Sequence, residues 1–177
     1  MKTIVCIAGY HITEEIYVGN RTSIYRGVRE CDGYPVTIEI LRNLFPSFNE
    51  LLQFRHQYEI GKNFALPNLI KTLTLVPYQN SYALILEDFG GISLKSFLQQ
   101  SGAFGENNQT LTIFLKIAIQ IAEALEGLYI NRTIHKDIKP TNILIHPETH
   151  HVKLIDFRIS WVSFGNSDEI LKSISLM

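Results

Sequence analysis

Short apolar runs rich in β-branched and aromatic residues fill the first third of the chain. They lie at residues 16–18, 23–28 and 36–41, separated by Gly19-Asn20 and Asp32-Gly33. This spacing predicts an antiparallel meander. From residue 49 to 64 the period changes: Leu51, Leu52, Arg55, Tyr58 and Lys62 fall at helical spacing, and Pro67 is the expected stop. Two further strands are predicted at 69–75 and 82–86, with Pro77-Tyr78-Gln79-Asn80 as the turn between them. Asp88 to Gly91 reads as a connector, and Ser93 as the N-cap of a short helix carrying Leu94, Phe97 and Leu98. After a Gly/Asn/Ser-rich loop comes the strongest helix, residues 110–129. Its Ile113, Ile117, Ala118, Ile121, Ala122, Leu125 and Leu128 recur every three or four positions, on more than one stripe. Residues 142–145 and 151–155 then flank a turn and predict a β-hairpin. The pattern is α+β: a β-rich lobe with one helix, a linker near Asp88, and a helical lobe carrying a hairpin.

Composition narrows the function classes. Of 177 residues, 46% are apolar and 19% charged, with a net charge of −1. That is too apolar for disorder, and no run approaches the roughly 20 residues that span a bilayer. The balanced charge offers no field for nucleic acid. The apolar run at 4–9 is shorter than the core of a signal peptide. Two cysteines, Cys6 and Cys31, make neither a disulfide framework nor a zinc site. The expectation is a soluble cytoplasmic protein with no membrane span and no nucleic-acid partner. His146, His150 and His151 read as a solvated turn, Gly90-Gly91 as a hinge, and the scattered aromatics as core.

The chemistry concentrates after the long helix. His135-Lys136-Asp137-Ile138-Lys139-Pro140-Thr141-Asn142 opens the hairpin, and Asp156-Phe157-Arg158 closes it. One hairpin end thus collects Asp137, Lys139, Asn142 and Asp156: two oxygen ligands, a carboxylate and an amine, the set that suits a magnesium–phosphate site. The segment resembles the catalytic loop of protein kinases, H-R-D-L-x-x-x-N followed by D-F-G. The element order resembles that family from about Tyr10 to Asp156, and Lys139-Pro140 is the form similar to serine/threonine kinases. Residues 86–94 resemble the N-terminal kinase domains of large bacterial multi-sensor signalling proteins.

The resemblance implies roles. Asp137 would orient and deprotonate a Ser or Thr hydroxyl, and Lys139 would neutralise the γ-phosphate of ATP. Asn142 and Asp156 would hold Mg²⁺. Leu86 would sit behind adenine, the backbones of Glu87 and Phe89 would bond it, and Ile24, Thr37 and Leu144 would sandwich it. Lys136 replaces the usual Arg and loses its planar fork.

Four departures from the family pattern are legible. The strand-three lysine of V-A-I-K is Glu39, which would repel the phosphates it should attract. The helix glutamate that pairs with that lysine aligns with Gln57, with Glu59 two residues on as the other candidate. A Glu39–Gln57 pair is self-consistent, since an amide can donate to a carboxylate. In the glycine-rich loop, aligning Ile24 with its valine puts Tyr17, Gly19 and Thr22 at the glycine positions, so only Gly19 is kept. The glycine of D-F-G is Arg158.

Domains of the resembled family run to roughly 250 residues, and this chain ends 21 residues beyond Asp156. The expected organisation is therefore C-terminally truncated. Residues 10–88 would form the smaller lobe, 89–160 part of the larger one, and 161–177 an incomplete activation segment. In that tail Phe164, Ile170, Leu171, Ile174 and Leu176 predict one short amphipathic helix. Three functions compete: a Ser/Thr kinase using Mg-ATP on a protein substrate, a non-catalytic pseudokinase fragment that docks a partner (the missing remainder of the domain included), and a decayed reading frame.

Overall fold

The computed structural model describes residues 5–100, 108–156 and 161–162. The chain forms two compact units, residues 1–65 with 69–91 and residues 66–68 with 92–177.

The first unit is built on five antiparallel strands: β1 (Tyr10–Val18), β2 (Thr22–Arg29), β3 (Pro35–Leu41), β4 (Thr72–Tyr78) and β5 (Ser81–Glu87), in spatial order β1-β2-β3-β5-β4. Strand alternation splits β3 between two faces. Val36, Ile38 and Ile40 join Ile7, Ala83 and Ile85 in a fully buried cluster. Thr37, Glu39 and Leu41 point the other way, toward helix α1 (Phe48–Gly61), which meets that face through Gln57. A capping box starts α1. Ser47 Oγ accepts from the Glu50 amide at 3.3 Å, and the Glu50 carboxylate accepts from the Ser47 amide at 2.8 Å.

Three boundaries in this unit differ from the sequence expectation, each for a physical reason. β1 begins at Tyr10 rather than Ile16. As an edge strand it exposes most of both faces, so Thr13, Glu14 and Glu15 hide its alternation. α1 stops at Gly61, not near Pro67, where Gly61 lies against the side chain of Thr72. β4 runs through Pro77, which an outer strand tolerates. The turn is only Gln79-Asn80, with Gln79 left-handed at φ 51°.

In the second unit, β6 (Ile92–Ser93), β8 (Ile143–Ile145) and β9 (Val152–Leu154) form a small sheet in the order β6-β8-β9. Ser93 caps α2 (Leu94–Gln100), its Oγ accepting from the Ser96 amide at 3.0 Å. Helix α3 (Asn108–Ile130) buries Ile117, Ala124 and Leu128. Its Gln120 holds the hairpin, accepting from the Val152 amide and donating to the His150 carbonyl. Asn68 adds a second tie: its carbonyl accepts from the Leu154 amide, and its Nδ2 donates to Glu123. On the other side of α3, Leu111, Phe114, Leu115, Ile119, Tyr129 and Ile130 are exposed.

After α3, β7 (Thr133–Ile134) pairs with β10 (Trp161–Val162). Trp161 and Val162, the first two residues of the expected tail, are therefore strand. Phe164, Ile170, Leu171, Ile174 and Leu176 lie outside the described residues, as do Phe157 and Arg158. Among the described residues no helix is long and apolar enough to cross a membrane.

Candidate active site

The candidate catalytic residues meet because His135 anchors their loop. His135 is buried, with its Nε2 2.9 Å from the Ile155 carbonyl. The Asp137 amide donates to its Nδ1 at 3.4 Å, so Nε2 carries the proton and donates to Ile155. Burial holds this imidazole below its usual pKa, against the opposing pull of the Ile155 carbonyl. The chain enters the loop through Lys136, left-handed at φ 64°. A β-carbon makes that conformation unfavourable, so the surrounding bonds must impose it.

Asp137 then faces back on its own loop. Its Oδ2 accepts from Lys139 Nζ at 2.6 Å and from Asn142 Nδ2 at 2.8 Å. Asn142 Nδ2 also donates to the Asp137 carbonyl at 3.0 Å. The Lys139 ammonium first, then the Asn142 amide, hold the Asp137 carboxyl below its ordinary range. Asn142 ends a 3₁₀ turn (Pro140–Asn142), where Pro140 supplies the fixed φ and lacks the N–H that such a turn would leave unbonded. The Asn142 carbonyl accepts from the Ile155 amide at 3.0 Å, which sets Asn142 and Asp156 at the same hairpin end. Asp156 is itself left-handed at φ 70°. With its nitrogen committed to Asp137, Asn142 offers only oxygen, as does the Asp156 carboxylate. Paired hard oxygen donors fit Mg²⁺ or Mn²⁺, and a soft metal is disfavoured. Among the described residues no three His, Cys, Asp or Glu side chains cluster as a metal cage.

In the first unit, strand register gathers the remaining candidates. Ile24 pairs with Glu39, Thr37 with Leu86, and Glu39 with Leu84. Ile24, Thr37 and Leu86 therefore share the face that carries Glu39. Leu86 is buried, and Ile24 and Thr37 are half-buried. The linker beyond Leu86 is braced. The Glu87 carboxylate accepts from the Lys71 amide at 2.8 Å, and Asp88 accepts from Arg26 Nε at 2.7 Å and from the Gly90 amide at 3.0 Å. Phe89, half-buried, follows Asp88 in this linker, and Gly90 turns the chain at φ 68°. Leu144 stands half-buried on β8 of the second unit.

The structure also resolves which residue meets Glu39. Gln57 Nε2 donates to Glu39 Oε2 at 3.0 Å, and both residues are more than nine-tenths exposed to protein rather than water, at 4% and 7% solvent exposure. Glu59 instead pairs with Lys62 on the outer side of α1. Gln57 Oε1 is buried without a hydrogen-bond partner. At the β1–β2 turn the Gly19 amide donates to the Thr22 carbonyl, and the Tyr17 ring lies where any side chain at Gly19 would project.

Sequence reasoning passed over two arginines at this turn. Arg42 Nη1 donates to the Gly19 carbonyl at 2.6 Å, and Arg21 Nη2 donates to Gln53 Oε1 at 2.5 Å. Their signal was a pair of cations flanking a strand hairpin whose glycine pattern had degenerated.

Residues 10–171 match the protein kinase domain, more than half of the chain. The chain belongs to the protein kinase family. It is 26% identical over 155 residues to a probable serine/threonine-protein kinase of Clostridium acetobutylicum, covering 87% of this chain and 23% of that protein. Against the serine/threonine-protein kinase PrkC of Bacillus subtilis it is 28% identical over 152 residues, 85% of this chain and 22% of that one. Serine/threonine-protein kinase 36 of Pongo abelii matches at 28% over 148 residues, 84% of this chain and 11% of the relative. The chain thus spans less than a quarter of the length of these curated relatives. Kinases of this family use ATP and divalent metal ions, and an α+β kinase-like fold accounts for the antiparallel sheet and single helix of the first unit.

Proposed function

We propose that this chain binds ATP with a divalent cation and transfers its terminal phosphoryl group to a serine or threonine hydroxyl of a protein in a signalling pathway. The observation that supports this most is the Asp137 carboxylate, fixed by Lys139 and Asn142 and kept ionised. An ionised Asp137 accepts the hydroxyl O–H of a substrate and aims its oxygen at the γ-phosphorus. As the new O–P bond forms and the bond to the β-phosphate bridge breaks, the proton passes to Asp137 and ADP leaves. Because Lys139 makes Asp137 a weak base, its main contribution is orientation, with proton transfer late. Asn142 and Asp156 would hold the cation, which when bound neutralises charge on the phosphates. In the first unit, Leu86, Ile24 and Thr37 form the apolar surface assigned to adenine, with the Glu87 and Phe89 backbone beside it. On this reading residues 10–88 and 89–160 correspond to the two lobes of a kinase, and the chain works in the cytoplasm, where ATP is held.

The buried Glu39–Gln57 bond favours a second reading, a pseudokinase that binds partners without turnover. Two measurements separate them. Mg-ATP at millimolar concentration should raise the melting temperature by mass action on the folded state; no shift sinks nucleotide binding. Labelling of a protein substrate from γ-labelled ATP, abolished by Asp137→Asn, supports transfer. A thermal shift without Asp137-dependent labelling selects the pseudokinase.

A further inference from the structure

The first unit carries an acid where its family carries the phosphate-anchoring lysine, yet its β1–β2 turn is cationic. Among the described cations of this unit, Arg26 is engaged by Glu14 and Asp88, Arg29 by Asp32, and Lys62 by Glu59. Arg21 and Arg42, like Arg55 and Lys71, make no such ion pair among the described residues. Both stand at the turn that aligns with the phosphate-covering loop, and the Arg42 amide donates to the Arg21 carbonyl at 2.9 Å. Glu50, engaged by Ser47 at the start of α1, lies within electrostatic reach of Arg21.

Among the described residues the Arg21 guanidinium is held at one corner. Its Nη2 is fixed on Gln53, a residue of α1 one helical turn before Gln57, while its Nε–H is buried with no partner. A buried N–H that no protein group answers is one that a ligand oxygen can satisfy. The Nε–H and a terminal N–H of a guanidinium together match two oxygens of a phosphate. We propose that Arg21, seconded by Arg42, is the cation that this unit offers to the phosphates of a bound nucleotide in place of the strand-three lysine. The inference rests on the nucleotide-binding reading above and goes beyond it by naming a side chain that distinguishes ATP from adenosine.

The test titrates the full chain with adenosine and with Mg-ATP. The expected result is that ATP binds the unaltered chain at least about tenfold more tightly than adenosine, as charge-assisted hydrogen bonds to phosphate require. Arg21→Met removes that advantage and leaves adenosine affinity unchanged, and Arg21→Lys recovers part of it. A measurement on the unaltered chain guards against a misfolded variant: phenylglyoxal modification of Arg21, read by peptide mass, is slowed by ATP and not by adenosine. Unchanged ATP affinity in Arg21→Met, or equal modification with and without ATP, overturns the role of Arg21 while nucleotide binding stands. Failure of the unaltered chain to bind either ligand overturns both.

Discussion

Replacing Gln57 with glutamate puts a second carboxylate where the amide now lies, 3.0 Å from Glu39 Oε2, with both positions shielded from water. At that distance and an effective dielectric near 20, two unit charges repel by about 5.5 kcal/mol. The pair can avoid this by keeping one proton. Holding a proton at pH 7 on a glutamate of ordinary pKa near 4.3 costs about 3.7 kcal/mol. The protonated oxygen then donates to Glu39 as the amide did. The smaller figure governs, so Gln57→Glu should destabilise the chain by about 3–4 kcal/mol at pH 7 relative to the unaltered protein.

The sign with pH follows. Above pH 4.3 the added carboxyl is ionised in the unfolded chain, whereas the folded pair retains its proton. The folded state binds more protons, and stability falls as pH rises. The penalty therefore shrinks by about 1.4 kcal/mol per unit of acidification and nears zero around pH 4.5. Urea unfolding followed by circular dichroism at pH 7.0 and 5.0 reads both numbers. A loss below about 1 kcal/mol at pH 7, or one that is the same at pH 5, refutes the reasoning that these two side chains share a buried contact.

Further outcomes follow from other contacts. The double exchange Glu39→Lys with Gln57→Glu restores the family's ion pair, and isothermal titration should show Mg-ATP affinity rising by about tenfold or more; an unchanged affinity refutes the charge argument. Buried His135 stays neutral while its unfolded counterpart takes up a proton below about pH 6.5. Metal-free stability should fall on acidification from there, by at most about 1.4 kcal/mol per pH unit, and His135→Gln should flatten that part of the profile in urea titrations. Gly27 passes so close to β1 that an added β-carbon meets the His11 carbonyl oxygen at 2.6 Å. Gly27→Ala should cost about 1–3 kcal/mol in thermal or chemical unfolding, since backbone rather than a side-chain tip must move.

Regularly patterned elements were legible in the chain itself. The 3–4 spacing through Ile117 and Leu128 predicted α3, and Val36 to Leu41 predicted β3, because burial on a fixed face repeats in sequence. What escaped was set by partners remote in sequence. β7 and β10 are two residues each and exist only because Thr133–Ile134 finds Trp161–Val162. The extension of β1 to Tyr10 was hidden because an edge strand needs no apolar alternation. At the candidate site, fixed spacing predicted that Asp137, Asn142 and Asp156 come to one hairpin end, where they lie. The choice of Gln57 over Glu59 needed the helix phase, which a count from Pro67 supplies only within a residue or two. Arg21 was invisible because its significance lies in one unanswered N–H.

The three residues Leu66 to Asn68 belong to the second unit although the first unit's chain runs on both sides of them. The polypeptide therefore passes between units three times, and no single cut separates them. A piece beginning at residue 89 would leave behind the Asn68 carbonyl that receives the Leu154 amide and the Asn68 amide that grips Gln120 and Glu123. It would also lose Leu66, whose side chain packs against Gly127 of α3. Dissection into separately expressed halves thus requires that short crossing segment to be grafted onto the second half, and a circular permutation that preserves it is the sounder way to ask whether each half folds alone.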